Sequence, residues 1–215
     1  MSSGKLHLSR VHFPVRTLGP GARIGIWLQG CSIRCTGCIS MDTWSRGRGE
    51  TTVDAVLSVI EPWLQEADGI TISGVEPFDQ PDALRLLLTA LRGRMAGDIL
   101  AYSGYPLEAL SLEGFEGLFD VLVADPFDTG SSQTLALRGS DNQRLIPMTV
   151  LGRSRYGRDA LVDSRPGTLE IMFDDETGEV FLAGIPRRGD LRRLARILAE
   201  KGHYAATTED VRHVP

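Results

Sequence analysis

The chain has 215 residues, of which 42% are hydrophobic and 24% are charged, and these proportions are ordinary for a globular protein. That length fits a single domain with a small appendage and is enough to bury a sizeable core. The formal net charge of −5 argues against a nucleic-acid partner, whose binding surface would be basic. No apolar run reaches the length of about 18 residues that a membrane span needs, and residues 1–10 lack the apolar core of a signal peptide. We therefore expect neither nucleic acid nor a membrane as a partner.

Strand-like and helix-like segments alternate from residue 22 to residue 150. Four segments have the composition of strands: 22–29, 69–74, 98–104 and 119–125. Apolar spacing predicts helices over three segments: 52–67, 81–92 and 106–111. We expect Pro62 to shorten the first helix and Gly93 to end the second. This order predicts an α/β fold with parallel strands joined by right-handed crossovers, and about five or six such units fit before residue 152.

The C-terminal part of the sequence has a different pattern. Residues 152–167 show little periodicity and are predicted to form a linker or mobile loop. After it, TLEIMF (168–173) and EVFLAGI (179–185) flank DDETG, which is typical of a β-hairpin, and a last amphipathic helix follows. We therefore predict three parts: a core at 1–151, the linker at 152–167 and a hairpin–helix appendage at 168–215.

The unusual residues of the core fall just after its predicted strands. A cysteine-rich loop follows the first strand, and SGVEPFDQ (73–80), YSGY (102–105) and DPFD (125–128) follow the other three. The carboxyl ends of parallel strands meet at one edge of a sheet, where binding sites are built from several loops. The sequence therefore predicts one functional site assembled from these four loops.

All three cysteines of the chain lie within GCSIRCTGCISMDTW (30–44), as Cys31, Cys35 and Cys38. Small and polar neighbours make this stretch unlike core sequence, although three structural thiols stay an alternative. A zinc site would need a fourth ligand, which folding could supply from His12. Electron-transfer clusters usually take four thiolates, whereas three thiolates on a four-iron cube leave one iron open to an external ligand. The odd number of thiols and the absence of a signal peptide predict the reducing cytoplasm as the compartment.

The Cys-x3-Cys-x2-Cys pattern resembles the signature of the radical S-adenosylmethionine (SAM) enzymes. The fuller stretch 30–44 is similar to the cluster loop of the anaerobic ribonucleotide reductase activating proteins, and the similarity continues at TISGVEPF (71–78), YSGY and LRGSDNQR (137–144). The resemblance implies a partial, open (β/α) barrel that holds a [4Fe-4S] cluster on the three cysteines and binds SAM at the open iron. One electron would then cleave SAM to a 5′-deoxyadenosyl radical that abstracts hydrogen.

The resemblance also implies roles for residues near the cluster. The backbone at Gly74 and Val75 would pair with the methionyl amine, and glycine there allows a close approach. Glu76 would accept a hydrogen bond from the same amine. The other implied contacts are Pro77 fixing the turn, Gly37 and Ile39 lying near the adenine, and Ser103 bonding the methionyl carboxylate or the ribose.

Four residues depart from the family pattern. Val75 replaces the second glycine of Gly-Gly-Glu-Pro, Asp125 stands where similar sequences often carry glycine, and Ile39-Ser40 replaces the usual Tyr-Asn. In the stretch 137–144, four polar residues are predicted to line the cofactor pocket or to face a partner, with a solvated turn as the alternative: Arg138, Ser140, Asn142 and Arg144.

The resemblance implies a protein substrate, such as a glycyl-radical enzyme or reductase, and a low-potential electron donor such as flavodoxin or ferredoxin. Within this chain only the C-terminal appendage could supply a missing wall of the site. If it instead packs on the outside, a partner's loop would close the cluster face. The basic stretch of Arg153, Arg155 and Arg158, with the adjacent Tyr156, would then be a candidate docking edge, and a solvated linker is the alternative. Two alternatives stay open: a radical SAM maturase acting on a peptide, nucleotide or other small substrate, and a non-catalytic iron–sulfur or zinc module.

Overall fold

The computed structural model describes residues 4–157, 161, 167–173 and 180–203. Seven strands form one sheet in the order β3-β1-β2-β4-β5-β6-β7, and two more form a separate hairpin. The strands of the large sheet are β1 (Lys5–Val15), β2 (Arg23–Leu28), β3 (Glu50–Thr52), β4 (Gly69–Ser73), β5 (Asp98–Tyr102), β6 (Val121–Ala124) and β7 (Arg144–Pro147). The α/β class predicted from the sequence is confirmed.

The centre of this sheet is parallel and its margins are antiparallel. Strands β2, β4, β5 and β6 run parallel, while β1 pairs antiparallel with both β2 and β3, and β7 pairs antiparallel with β6. The expectation of five or six parallel units is therefore wrong, since the described residues contain four parallel strands. The sequence did not reveal β1 or β7, because β1 contains Pro14 and β7 is a four-residue strand that ends in Pro147.

Two helices cover one face of the sheet. Helix α1 (Val53–Ile60) begins after Thr52, whose hydroxyl accepts a hydrogen bond from the Ala55 amide, and it gives way to a 3-10 turn at Glu61–Trp63. Pro62 thus ends the helix early, as predicted. Helix α2 (Pro81–Arg92) stops before Gly93, also as predicted. The predicted helix at 106–111 is only a 3-10 turn, Leu107–Ala109.

The parallel strands are buried on both faces. Ile24, Ile70 and Leu122 share one apolar cluster with the inner faces of α1 and α2. Trp27 and Val121 point to the opposite face, because side chains alternate along a strand. That opposite face is covered by α3 (Val150–Tyr156) and by the hairpin of β8 (Thr168–Phe173) and β9 (Val180–Ile185), which α4 (Asp190–Glu200) follows.

Helix α3 corrects the predicted linker and docking edge. Its residues were assigned to an aperiodic segment, but the Thr149 hydroxyl caps a regular helix by accepting from the Gly152 amide at 3.0 Å. Tyr156 is 2% exposed, so it cannot serve as a docking surface. Arg158 lies outside the described residues, and the division into core, linker and appendage stays a prediction.

Asp98 binds α3 to the edge of the sheet at which the parallel strands begin. It accepts from the Tyr156 hydroxyl at 2.6 Å and pairs with Arg155 at 2.9 Å. It also pairs at 2.7 Å with Arg23, and both of these side chains are fully buried. Since Arg23 and Asp98 begin β2 and β5, this network lies at the amino ends of the parallel strands.

In the part of the chain that the structure describes, no helix has both the length and the apolar character that crossing a membrane requires.

Candidate functional site

The four parallel strands end at one edge of the sheet, and the loops that follow them border a single cavity. Its volume is about 200 Å³, and its lining includes residues from all four loops. Among the residues predicted for the site, the lining contains Cys31, Cys35, Gly37, Cys38, Ile39, Gly74, Val75, Glu76 and Ser103. The structure therefore brings these residues together, as the strand order led us to expect.

The cysteine loop after β2 is closed at its base by two backbone hydrogen bonds. The Gly30 amide donates to the Thr43 carbonyl at 2.8 Å, and the Cys31 amide donates to the Trp44 carbonyl at 3.2 Å. Gly37 has a φ of +77°, a backbone conformation that favours glycine. The chain can therefore turn between the second and third cysteines. Within the loop Cys31 is buried, the other two thiols are half-buried, and all three are free.

Two side chains bind the cysteine loop to its neighbours. The buried Thr43 hydroxyl lies within donating distance of the Gly74 carbonyl oxygen, at 3.0 Å. Asp79 accepts from the amide and the hydroxyl of Ser32, both at 2.8 Å, and from the Tyr105 hydroxyl at 2.7 Å. Asp79 thus joins the loops after β2, β4 and β5. The sequence analysis missed its role, although Asp79 lies in SGVEPFDQ and Tyr105 in YSGY.

Glu76 is a buried carboxyl group surrounded by donors. It is 1% exposed and accepts from the Gly104 amide at 2.7 Å, from the Phe78 amide at 3.0 Å and from the Ser103 hydroxyl at 3.0 Å. Burial raises the pKa of Glu76 to about 7. Because the Ser103 hydroxyl already donates to Glu76, this serine positions the carboxyl group, and its own bond to a cofactor stays a prediction.

Gly74 is a glycine for reasons internal to the fold. Its φ is +98°, and a Cβ there would lie 3.0 Å from the Cβ of Trp27 and 3.1 Å from the Leu28 carbonyl oxygen. We expected glycine here because SAM would approach the backbone closely. The close packing of the end of β4 against β2 also requires it. The neighbouring Val75 is buried in the cluster beneath the helices, and Pro77 opens a 3-10 turn and does not line the cavity.

The loop after β6 contributes other residues than those predicted. Of the stretch 137–144, Gly139 and Gln143 line the cavity, whereas Arg138, Ser140, Asn142 and Arg144 are not among the lining residues. Ser140 is fully buried, and its hydroxyl accepts from the Asp128 amide at 3.0 Å. It therefore shapes the loop.

Asp125, where the resemblance led us to expect glycine, adopts a φ of +84°. Arg144 binds its carboxylate through two contacts, at 2.5 and 2.7 Å. The Gln143 side chain donates to the Asp125 carbonyl oxygen at 3.1 Å. These bonds hold an aspartate in a backbone conformation that glycine would adopt without strain.

The C-terminal hairpin and helix supply part of the wall of this cavity. Residues of this tail line the same cavity as the cysteines: Leu182, Gly184, Ile185, Pro186, Arg188 and Leu191. The tail packs there because Met172 and Ala183 share a buried cluster with Trp27, which faces away from α1 and α2.

The thiols suit an iron–sulfur cluster better than a single metal ion. In the described residues, no three His, Cys, Asp or Glu side chains converge to hold one ion, as zinc requires. His12, the fourth ligand suggested for zinc, lies on β1 and is not among the described lining residues. A four-iron cube binds each thiolate through a different iron, so thiols spread around one cavity fit it.

Burial favours the protonated form of two of the three thiols when no metal is present. Burial raises the pKa of Cys35 and raises the pKa of Cys38 to about 11. Metal ligation requires the thiolate. Loading a cluster must therefore release protons from this loop.

Comparisons with known proteins agree with this geometry. The family model described as "4Fe-4S single cluster domain" matches residues 17–146, which is more than half of the chain. The anaerobic ribonucleoside-triphosphate reductase-activating protein of Escherichia coli K12 is 30% identical over 144 residues, which cover 61% of this chain and 93% of that protein. The protein of the same name from phage T4 is 26% identical and covers 59% and 85%.

Two further similarities are more limited. The pyruvate formate-lyase-activating enzyme of Listeria monocytogenes is 38% identical over 86 residues, which cover 36% of this chain and 34% of that enzyme. The crystal structure of QueE from Escherichia coli superimposes over 93% of this chain and 92% of its own, with a TM-score of 0.43 and 15% identity. A TM-score below 0.5 does not establish a common fold.

The fold and the cysteine loop thus define an iron–sulfur protein of the α/β class. The chain belongs to the 4Fe-4S single cluster domain family, and within it to the radical SAM enzymes that resemble the anaerobic ribonucleotide reductase activating proteins. It is accordingly an enzyme of the activating type.

Proposed function

We propose that this protein binds a [4Fe-4S] cluster through Cys31, Cys35 and Cys38 and reductively cleaves SAM to a 5′-deoxyadenosyl radical. The observation that carries the proposal is that the three thiols border the same cavity as Gly74, Val75, Glu76 and Ser103. When bound, the cluster would supply an open iron and one electron. We also propose that the sheet, with four parallel strands between antiparallel margins, is the partial barrel of this superfamily.

The chain's own residues would bind and orient the cofactor. Glu76 is aimed at the cavity and held by three donors, so as a carboxylate it can accept from an ammonium group without moving. Such a preorganised acceptor suits the methionyl amine, beside the backbone of Gly74 and Val75. Gly37 and Ile39 border the cavity next to Cys38, where we place the adenine.

The names of the relatives suggest a protein as the substrate. The activating proteins similar to this chain are named for an anaerobic reductase and for pyruvate formate-lyase. By analogy we propose that the radical abstracts hydrogen from a partner protein, such as a glycyl-radical enzyme or reductase. A low-potential donor such as flavodoxin or ferredoxin would supply the electron, and the reducing cytoplasm would protect the cluster.

A second candidate is radical chemistry on a small substrate or a peptide. It is favoured by the tail, which already supplies a wall of the cavity through Leu182, Ile185 and Leu191. Pockets for small ligands bury most of the ligand's surface, so a wall within the same chain suits them.

The test of the proposed function is anaerobic reconstitution with iron and sulfide, followed by reduction in the presence of SAM. We expect about four irons per chain, the composition of the cluster type, and formation of 5′-deoxyadenosine. A rate that rises only when a partner protein is added supports activation, whereas a rise with a small molecule alone supports the second candidate. Stoichiometric zinc without iron uptake contradicts both.

A further inference from the structure

The tail that borders the cavity follows the segment that the family model matches. The family model ends at residue 146, whereas β8 begins at Thr168. The Escherichia coli activating protein is matched over 93% of its length by only 61% of this chain. We infer that the tail is the substrate-facing wall of the reaction cavity and that the substrate group it accommodates is uncharged and apolar. This inference rests on the proposed function and deepens it.

One end of the tail is anchored beside β2. Met172 and Ala183 pack with Leu18 and Trp27 in a buried cluster, and the Glu170 carboxylate accepts from the Arg16 amide at 2.8 Å. Leu18 and Trp27 also line the cavity. The hairpin is therefore fixed to the face of the sheet on which the cavity lies.

The other end of the tail reaches the loop after β6. The Gln133 side chain donates to the Pro186 carbonyl oxygen at 2.8 Å. The Arg188 guanidinium donates to the carbonyl oxygens of Ser131 and, at 3.4 Å, of Asp128. We call the bonds of Gln133 and Arg188 the latch. Between its anchor on β2 and this latch, the tail spans the cavity.

The chemistry of the wall indicates what it contacts. Four side chains of the tail that border the cavity are apolar: Leu182, Ile185, Pro186 and Leu191. The charged residues in the described lining have other partners. Arg10 pairs with Asp42 at 2.6 Å and lies over the rings of Trp27 and Phe181, and Arg188 is in the latch. Glu76 is the acceptor that the proposed function assigns to the methionyl amine, so no charged group in the described lining is left for the substrate. A charged group placed here would lose its hydration without gaining a partner.

The test measures access to the cluster. Reconstituted protein is exposed to disulfonated bathophenanthroline, a bulky anionic chelator of ferrous iron, and the loss of cluster absorbance is timed. In the double variant Gln133→Ala/Arg188→Ala we expect iron loss about tenfold faster than in the wild type, because losing these hydrogen bonds shifts an opening equilibrium by that order. Arg193→Ala removes an exposed arginine from α4, the helix that follows the latch, and we expect the wild-type rate.

A second arm tests the polarity of the wall with two aromatic probes of similar size. Neutral indole should slow iron loss in the wild type, whereas benzoate should not. Leu191→Asn, which keeps the size of the side chain but makes it polar, should abolish the protection by indole. An unchanged rate in the double variant, or equal protection by benzoate and indole, overturns the inference.

If the proposed function is wrong, the wild-type protein takes up no iron on reconstitution. The wall can then be tested on the metal-free protein, by measuring how fast iodoacetamide alkylates the thiols. We expect alkylation in the double variant to be about tenfold faster than in the wild type. An equal alkylation rate in both proteins overturns the inference in that case.

Discussion

The two edges of the parallel sheet use buried polar groups in opposite ways. At the amino edge, Asp98 is surrounded by Arg23, Arg155 and Tyr156, and its two oxygens are fully engaged by protein donors. At the carboxyl edge the three thiols are free and border a cavity. The buried polar groups at the amino edge therefore stabilise the fold. At the carboxyl edge, Asp79 and Thr43 fix the loops, and the thiols stay free to bind a ligand.

The largest effect on function should come from the carboxyl edge. Replacing Cys31, Cys35 or Cys38 by Ala removes one of the three proposed iron ligands, and we expect complete loss of the cluster and of 5′-deoxyadenosine formation. Iron analysis and product quantification after reconstitution provide the measurement. Tyr156→Phe at the amino edge is the control and should take up iron normally. A cysteine variant with wild-type iron content would contradict the assignment.

The largest effect on stability should come from the amino edge. Asp98→Ala leaves the buried Arg23 without its partner, and we expect the free energy of unfolding to fall by about 3–5 kcal/mol. Urea denaturation measures this loss. Lys5→Ala breaks an exposed ion pair with Glu50 and should leave the denaturation midpoint nearly unchanged. Equal shifts in the two variants would show that the Asp98 network does not support the fold.

Glu76 shares a property with each edge of the sheet. It is buried, like Asp98, and it lines the cavity, like the thiols. Its pKa is about 7 in the folded chain and near 4.5 when exposed, so between these values the folded state binds more protons. Stability should therefore decline as pH rises from 5 to 7.5, by a contribution on the order of 1–3 kcal/mol from this group. In Glu76→Gln that contribution should be absent. Denaturation of both proteins at the two pH values gives the measurement, and parallel pH profiles would refute it.

The sequence was sufficient to predict the elements whose cause is local. A few neighbouring residues are enough to indicate the parallel strands and the loops at their ends. The same is true of the end of α1, where Pro62 alone indicates that the helix stops. The gathering of the cysteines and Glu76 at one cavity followed from strand order alone.

The failures came from interactions between distant parts of the chain. Helix α3 has a weak apolar pattern, and it is held by Asp98, more than fifty residues earlier, so its sequence resembled a linker. The position of the tail could not be predicted, because nothing near Met172 indicates that its neighbour is Trp27. The direct bond between Ser103 and Glu76 was likewise hidden by their separation in sequence.

The smallest predicted effect concerns Asp125, whose backbone conformation favours glycine and whose side chain favours aspartate. Arg144 binds the carboxylate, and this ion pair holds the pKa of Asp125 below its usual value. Asp125→Gly loses the pair but relieves a left-handed backbone strain of about 1–2 kcal/mol, so we expect nearly unchanged stability. Asp125→Ala loses the pair and keeps the strain, and it should be the less stable of the two variants by about that strain. Urea denaturation of both variants makes the comparison, and equal stability of the alanine and glycine variants would show that the φ of +84° carries no strain here.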